Sequence, residues 1–176
     1  MYRLRKILAI IIPIALIFTL FSCKEEKEGD FLRSLDAPAE MVVDGERNGV
    51  AFSAVIETGD GEGKMTFTAP DSMAGICVTG AGGVWNCDLA GMKIAGISAE
   101  MLGAPLMPFL EIGSALSAEK ITDEKGTPLT LIVTEKGSGS FEYYIDSKSG
   151  FPVRVIEKDA AGETVMRFDI KDYIAK

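Results

Sequence analysis

Apolar and polar residues alternate in short stretches from about residue 41 to the carboxyl end, and glycine-rich or acidic turns separate these stretches. A period of two residues with one apolar face predicts strands of an antiparallel sheet whose other face meets water. Shorter strands are predicted near residues 75–78, 84–89 and 92–95. In the first half of the chain the predicted inward positions are Val50, Phe52, Ala54, Ile56, Met65, Phe67 and Ala69.

The alternation returns after the turn at residues 123–126 and continues through four further stretches. A turn at residues 147–150 leads to a strand predicted over residues 152–158, and a glycine turn at 161–162 leads to the last strand. The predicted inward positions here are Leu129, Leu131, Val133, Phe141, Tyr143, Ile145, Met166, Phe168 and Ile170.

Residues 98–116 break this pattern, because they carry only two charges, Glu100 and Glu111. Pro105 and Pro108 exclude one long helix and predict a bent pair of short helices, the second beginning near Pro108. The apolar residues recur at helical spacing; they are Leu102, Leu106, Phe109 and Leu110.

The predicted layout is therefore five or six strands, an apolar helical segment, and four more strands in up-and-down order. Such a layout predicts a mainly β (α+β) fold, in which a strongly curved antiparallel sheet carries the helical piece on its concave side.

The amino end resembles a bacterial lipoprotein signal peptide. Three basic residues within positions 3–6 precede an apolar run over residues 7–21, and Leu20-Phe21-Ser22-Cys23 resembles a lipobox. The resemblance implies that residues 1–22 are removed, that Cys23 receives a diacylglycerol and fatty acyl anchor such as palmitate, and that the mature protein lies outside the cytoplasm. The alternative is an uncleaved transmembrane helix, but the run is shorter than the roughly 20 residues of a span, and Pro13 interrupts it.

Removal of residues 1–22 leaves 154 residues, which suits a single domain. We expect a lipidated cysteine and flexible charged tether over residues 23–38, followed by one β domain over 39–176. The loss of three basic residues leaves 15 basic against 26 acidic residues, a charge of about −11. Nucleic acid is therefore an improbable partner, and we expect a monomer on the outer side of a cell membrane or outer membrane.

The chain contains no histidine. This absence excludes Ser-His-Asp and Cys-His catalysis and the common zinc sites. Because no pair of carboxylates is singled out by its spacing, we expect no enzymatic activity, no catalytic residues, no metal and no cofactor.

Two cysteines, Cys77 and Cys87, remain beside the lipobox cysteine and flank a glycine-rich turn. Folding the chain about Gly82 places them directly opposite on paired strands, where a disulfide would form outside the cytoplasm. The alternatives are two small buried hydrophobes or, less readily, a reactive thiol.

The carboxy-terminal run 141–157 resembles a segment of the LolA/LolB-like lipoprotein carriers. A strand ends at Asp146, a Lys-Ser-Gly-Phe-Pro turn follows, and the final strand reaches Asp172-Tyr173; residues 64–70 are similar to an earlier strand that ends in proline. The resemblance covers about half of the mature chain. It implies an unclosed half-barrel whose apolar concave face, covered by short helices, accommodates acyl chains or a lipidated partner.

These observations predict a membrane-anchored lipoprotein that binds a lipid or acylated molecule without chemistry. The alternative is an envelope protein-binding or sensory lipoprotein with a filled core. Frequent methionines and the single tryptophan fit either an adaptable ligand surface or ordinary core packing. The predicted ligand-binding residues are Phe52, Met65, Phe67, Trp85, Met101, Leu102, Leu106, Phe109, Leu110, Leu131, Phe141, Tyr143 and Phe168.

Overall fold

The computed structural model describes residues 37–97, 105–110, 112–137 and 139–176. These residues form one sheet of eleven strands and one turn of helix. The elements are β1 (Ala39–Arg47), β2 (Val50–Gly59), β3 (Glu62–Ala69), β4 (Cys77–Ala81), β5 (Val84–Leu89), β6 (Met92–Ile97), α1 (Met107–Leu110), β7 (Ala115–Thr122), β8 (Pro128–Lys136), β9 (Gly139–Asp146), β10 (Pro152–Lys158) and β11 (Thr164–Ala175).

The strands follow the order β6-β5-β4-β3-β2-β1-β11-β10-β9-β8-β7, and every neighbouring pair is antiparallel. The first and last strands pair with each other, which joins the two halves of the chain at the centre of the sheet. β6 and β7 remain at the two outer edges, so the sheet is unclosed. The predicted curved, unclosed half-barrel is confirmed.

Two-residue turns set the register of several hairpins. Asn48 and Gly49 both adopt positive φ, at 48° and 80°, and Gly82 and Gly83 do so at 56° and 78°. Positive φ at both central positions is the type I′ geometry, whose twist matches that of the flanking strands. These turns fix which side chains share the inner face.

The inner face carries most of the predicted core. Strand alternation places most of the predicted residues of β2, β3, β9 and β11 on the buried side, where ten are at most 8% exposed, and Ala69 is half-buried. The residues confirmed there are Phe52, Ala54, Ile56, Met65, Phe67, Phe141, Tyr143, Ile145, Met166 and Phe168. Ile170 packs against the same cluster while partly exposed, whereas Val50, at the start of its strand, is 58% exposed.

The prediction for β8 is wrong by one residue at Leu131 and Val133, although Leu129 is buried as predicted, at 6% exposure. Ile132 and Thr134 are buried on the inner side, at 1% and 0% exposure, whereas Leu131 is only half-buried on the outer side. Ile132 pairs with Tyr143, and Thr134 pairs with Phe141, so the register with β9 determines the face. Threonine at the inward positions disguised the pattern.

The connection from β6 to β7 runs from one edge of the sheet to the other. We call residues 98–114 the crossing segment; residues 98–104 and 111 lie outside the described residues. Its described part contains α1, and Leu106 and Phe109 belong to the buried core cluster. The predicted placement of a helical piece on the concave side is thus confirmed.

The predicted extent of that helical piece is only partly correct. The helix begins near Pro108 as expected, but it is a single turn. The chain is extended again at Ala115, so Leu116 lies in β7, a strand that the sequence did not predict. A bulge near Leu116 and partial burial at every third residue of β7 leave this strand without the period of two that marks the others.

Candidate functional site

The inner face gathers most of the predicted ligand-binding residues into one apolar cluster. Those in the cluster are Phe52, Met65, Phe67, Trp85, Leu106, Phe109, Phe141, Tyr143 and Phe168, and Leu110 packs against them. Leu131 does not join them, because it faces outward. Met101 and Leu102 lie outside the described residues. Sequence reasoning did not place Val43 or Val155 on the inner face; Val43 follows the alternation of β1, whereas a register shift between Pro152 and Arg154 precedes Val155 in β10.

Four phenylalanine rings connect the sheet to α1. The ring of Phe52 stands edge-on to Phe67 and to Phe168, with centroids 5.3 Å and 5.8 Å apart, and Phe168 stands edge-on to Phe109 at 5.3 Å. Such edge-to-face pairs each contribute about 0.5–1.5 kcal/mol beyond area burial. The aromatic row thus makes Phe109 of the helix a continuation of the sheet's inner surface.

A buried hydrogen bond also connects the helix to the sheet. The phenolic hydroxyl of Tyr143 donates to the backbone carbonyl oxygen of Pro108 at 2.8 Å. Tyr143 is fully buried, so its hydroxyl has no access to bulk water. This carbonyl belongs to the first turn of α1, and the bond therefore fixes the depth at which α1 enters the half-barrel.

Glycines on the inner face provide space for large side chains; Gly45 does so for the ring of Phe52. A Cβ atom at Gly63 would lie 2.8 Å from Cδ2 of Leu110, and one at Gly80 would lie 2.7 Å from Cζ3 of Trp85. Real Cβ contacts are longer than this, so a side chain at either position would displace its neighbour. Gly63 thereby admits the end of α1, and Gly80 admits the indole ring.

Three polar atoms on the inner face are buried without a hydrogen-bond partner in the described structure. They are Nε1 of Trp85 and Oγ1 of Thr134, in residues 1% and 0% exposed, and Oγ1 of the half-buried Thr58. An unsatisfied buried polar group costs roughly 1–3 kcal/mol. The interior is therefore apolar with three unused hydrogen-bonding groups.

The predicted pairing of the cysteines is wrong. The turn is centred between Gly82 and Gly83, so Cys77 pairs with Asp88 and Cys87 pairs with Val78. This shift of one residue places Cys77 on the outer face and Cys87 on the buried inner face, and both thiols are free. Burial raises the pKa of the Cys87 thiol.

The outer face carries an open polar depression of about 480 Å³. Glu57 and Lys64 form an ion pair across it at 3.1 Å. The hydrogen bond between them lowers the pKa of Glu57 and raises that of Lys64. The lining residues are Glu57, Thr58, Gly59, Glu62, Gly63, Lys64, Thr79, Gly80, Ala81 and Asn86.

A second outer cluster surrounds Asp169. Its carboxylate accepts from Nε of Arg154 at 2.7 Å and lies 2.8 Å from Nη2 of Arg167. Partial burial favours the neutral acid, but the two guanidinium groups outweigh it and hold the pKa of Asp169 below its ordinary value. Both guanidinium groups bind the same carboxylate, which is the arrangement of a structural ion cluster.

Among the described residues, no three acidic or cysteine side chains converge in a way that would hold a metal ion. No helix of the described ranges has the length and apolar character needed to cross a bilayer.

No protein-family model matches the chain, and no curated protein sequence matches it significantly. Solved structures do. An uncharacterised conserved protein from Thermus thermophilus superposes with a TM-score of 0.57 at 14% identity, over 86% of this chain and 88% of that one. MucB superposes with a TM-score of 0.50 at 16% identity over 86% of this chain, which spans 60% of the length of MucB. These two likenesses show a shared fold.

A LolA superfamily protein from Nitrosomonas europaea also aligns, at 11% identity and a TM-score of 0.44, over 81% of this chain and 87% of that protein.

Proposed function

We propose that this chain is a membrane-anchored lipoprotein of the bacterial envelope that holds a lipid or an acylated molecule against the inner face of its half-barrel. It releases the molecule unchanged. The observation that carries the proposal is that a single helical turn, α1, and the residue before it add Phe109 and Leu106 to the buried apolar cluster of the inner face. An acyl chain has the same surface chemistry as these two side chains and would occupy the same space.

The helical turn α1 is the part that would move. Each strand of the sheet is paired through a ladder of backbone hydrogen bonds, but the bonds of α1 are short-range, from the amides of Phe109 and Leu110 to the carbonyl of Leu106. A buried side-chain hydrogen bond from Tyr143 joins it to the sheet. Displacement of α1 would break this bond, while the strand ladders of the sheet would stay in place.

We further propose that Cys23 bears the anchor. Two or more acyl chains hold a protein stably on a bilayer, and β1 begins sixteen residues after Cys23. The half-barrel would then work close to the membrane surface, where acylated molecules are concentrated.

The second candidate is a protein-binding lipoprotein. Two observations favour it: the described inner face is filled with side chains, and the edge strand β6 exposes Met92 and Ile94 at 66% and 40%. An exposed edge with apolar residues accepts a strand from a partner.

Native mass spectrometry separates the two candidates. The full chain is expressed in a bacterial envelope, extracted in a mild detergent, and analysed before and after lipid extraction. We expect a mature chain that begins at a lipidated Cys23 and retains about one further acylated molecule. Cys23→Ser, which removes the attachment atom, should lose the anchor mass and keep residues 1–22. A lipidated chain that neither carries nor accepts an acylated molecule supports the protein-binding alternative.

A further inference from the structure

Three apolar side chains on the inner face are exposed at one edge of the sheet. Leu89 at the end of β5 is 37% exposed, and Met92 and Ile94 in the edge strand β6 are 66% and 40% exposed. Leu89 pairs with Met92, and Ile94 pairs with the buried Cys87. Because paired residues share a face, and residues two apart along a strand do so too, all three lie on the inner side with Cys87. We call Leu89, Met92 and Ile94 the edge patch.

The edge patch is continuous with the buried apolar cluster. One cross-strand row runs from the core to the edge through β3, β4, β5 and β6, and its members are Met65, Val78, Cys87 and Ile94. Their exposed fractions are 0%, 4%, 6% and 40%, in that order. The same apolar surface therefore continues from the core to the edge, where it meets solvent.

The edge patch suits a ligand on the inner face better than a partner strand. Its side chains project from the face of the sheet, whereas an added strand pairs with the backbone at the edge. The register of β6 with β5 shifts between Trp85 and Cys87. Gly96 has a positive φ of 69°, and its amide donates to Oδ1 of Asn86 at 3.3 Å. Lys93 is exposed on the same strand. An irregular edge with a lysine is a common protection against strand addition.

The distance from the edge patch to α1 matches the length of an acyl chain. Gly63 lies beside Leu110 of α1. Through β4 it is in register with Trp85 of β5. Leu89 is four residues beyond Trp85 and two strands away from Gly63, so the separation along the sheet is about 16 Å. The acyl chains of one leaflet reach roughly 15 Å, half the hydrocarbon thickness of a bilayer. One acyl chain can therefore extend from α1 to the edge patch.

We propose that the edge patch is a binding subsite for the acyl chain of the ligand. One part of the chain lies over Leu89, Met92 and Ile94, and the rest extends toward the position of α1. The patch is exposed in the structure as it stands, so this contact requires no movement of the protein. Methionine suits such a surface, because its flexible thioether adapts to acyl chains of different shape. The inference rests on the proposed function, since it locates the ligand on the same inner face.

A double substitution tests the contribution of the patch. The variant Met92→Ser with Ile94→Ser changes two exposed side chains and should fold as the parent does. The probe is 1-palmitoylglycerol, a single acyl chain on a small uncharged head. Its occupancy, measured by native mass spectrometry of the full chain in detergent, should fall at least fivefold. The matched control is Val42→Ser with Val84→Ser, since these valines are 40% and 53% exposed on the outer face. The control should keep the occupancy of the parent.

Alkylation of an introduced cysteine reports contact with the probe directly. Met92→Cys should react with iodoacetamide at least fivefold more slowly when 1-palmitoylglycerol is present in saturating amount. Val84→Cys, on the outer face, should react at the same rate with and without the probe. Peptide mass mapping separates these sites from Cys77 and Cys87.

The outcomes separate the inference from the proposed function. In a parent chain that binds the probe, unchanged occupancy of the double variant, or a Met92→Cys thiol that the probe does not protect, would overturn the inference alone. A dimer, or a co-purifying envelope protein, that is lost in the double variant while probe occupancy stays unchanged would assign the patch to that partner instead. Failure of the parent to bind the probe would overturn the proposed function, and the inference would fall with it.

Discussion

The hydroxyl of Tyr143 in β9 donates to the carbonyl of Pro108 in α1 at 2.8 Å, and it does so inside the half-barrel. A hydrogen bond from a fully buried tyrosine to a helix backbone gives α1 a defined position on the inner face. Apolar contacts alone would allow it to slide along the inner face.

Tyr143→Phe is expected to loosen the attachment of α1 to the sheet. The variant leaves the Pro108 carbonyl buried without a donor, at a cost of roughly 1–3 kcal/mol. Hydrogen exchange should rise at residues 105–110 more than in the sheet. The matched control is Tyr144→Phe on the same strand, whose hydroxyl bonds the Glu142 carboxylate on the outer face. Equal effects of the two variants on residues 105–110 would contradict the assigned role.

Phe109→Ala should separate stability from binding. Removal of a ring that is 5% exposed and stands edge-on to Phe168 should lower the free energy of unfolding by about 3–5 kcal/mol. Because α1 then fills less of the inner face, occupancy by 1-palmitoylglycerol should increase.

Phe151→Ala is the control for this experiment. Phe151 is 37% exposed and stacks on Tyr173 outside the aromatic row, so its loss should cost less and leave occupancy unchanged. A Phe109→Ala chain that binds less probe than the parent, while folded, would show that the ring contacts the ligand and does not exclude it.

Acid should destabilise the protein through Asp169. Its folded-state pKa is depressed, so its contribution to stability is present above the pKa of the unfolded chain and is lost as pH falls through the folded value. In Asp169→Asn, the urea concentration at the unfolding midpoint should fall less than in the parent as pH is lowered from about 5 to 2. Asp71→Asn, in an exposed loop, should leave this pH dependence unchanged. If the urea midpoint of Asp169→Asn changes with pH as that of the parent does, Asp169 does not contribute to the acid sensitivity.

The two free cysteines should react at different rates. Cys77 is half-buried on the outer face, whereas Cys87 is buried and its thiol has a raised pKa. Iodoacetamide under native conditions should therefore modify Cys77 first, as measured by peptide mass mapping. Recovery of a peptide pair joined by a Cys77–Cys87 disulfide would contradict the register of β4 and β5.

The sequence predicts the sheet well because period-two alternation depends only on local pattern. It fails where the buried face includes polar residues. On β8, Thr134 points inward and Leu131 outward, and only pairing with Phe141 and Tyr144 on β9 settles the choice. For the cysteines, the prediction centred the turn on Gly82, whereas the turn is centred between Gly82 and Gly83. The pairing therefore shifts by one residue, and the two cysteines lie on opposite faces of the sheet.

The candidate site is predictable in part for the same reason. Its aromatic residues lie on strands with clear alternation, as Phe52 and Phe168 do. The importance of Thr134 and of Gly63 could not be read from pattern, because each depends on what another element places beside it. The crossing segment has helical spacing in its sequence, and its described part contains one helical turn.

The central claim is that a ligand enters by displacing α1, and a reversible staple tests it. Cγ of Leu110 lies 3.1 Å from the Cβ position of residue 63, close to the Cβ-to-Sγ separation of about 3 Å across a disulfide. Gly63→Cys combined with Leu110→Cys should therefore lock α1 against β3 when oxidised. Leu110→Cys alone is the control, since it carries the shortened side chain without the lock.

The measurement is binding of 1-palmitoylglycerol to the stapled full chain, by native mass spectrometry, before and after reduction. The account predicts that the oxidised chain loses at least tenfold in occupancy and that reduction restores it to the level of the single variant. Equal occupancy in the oxidised and reduced states would show that α1 stays in place while the probe binds, and would contradict the account.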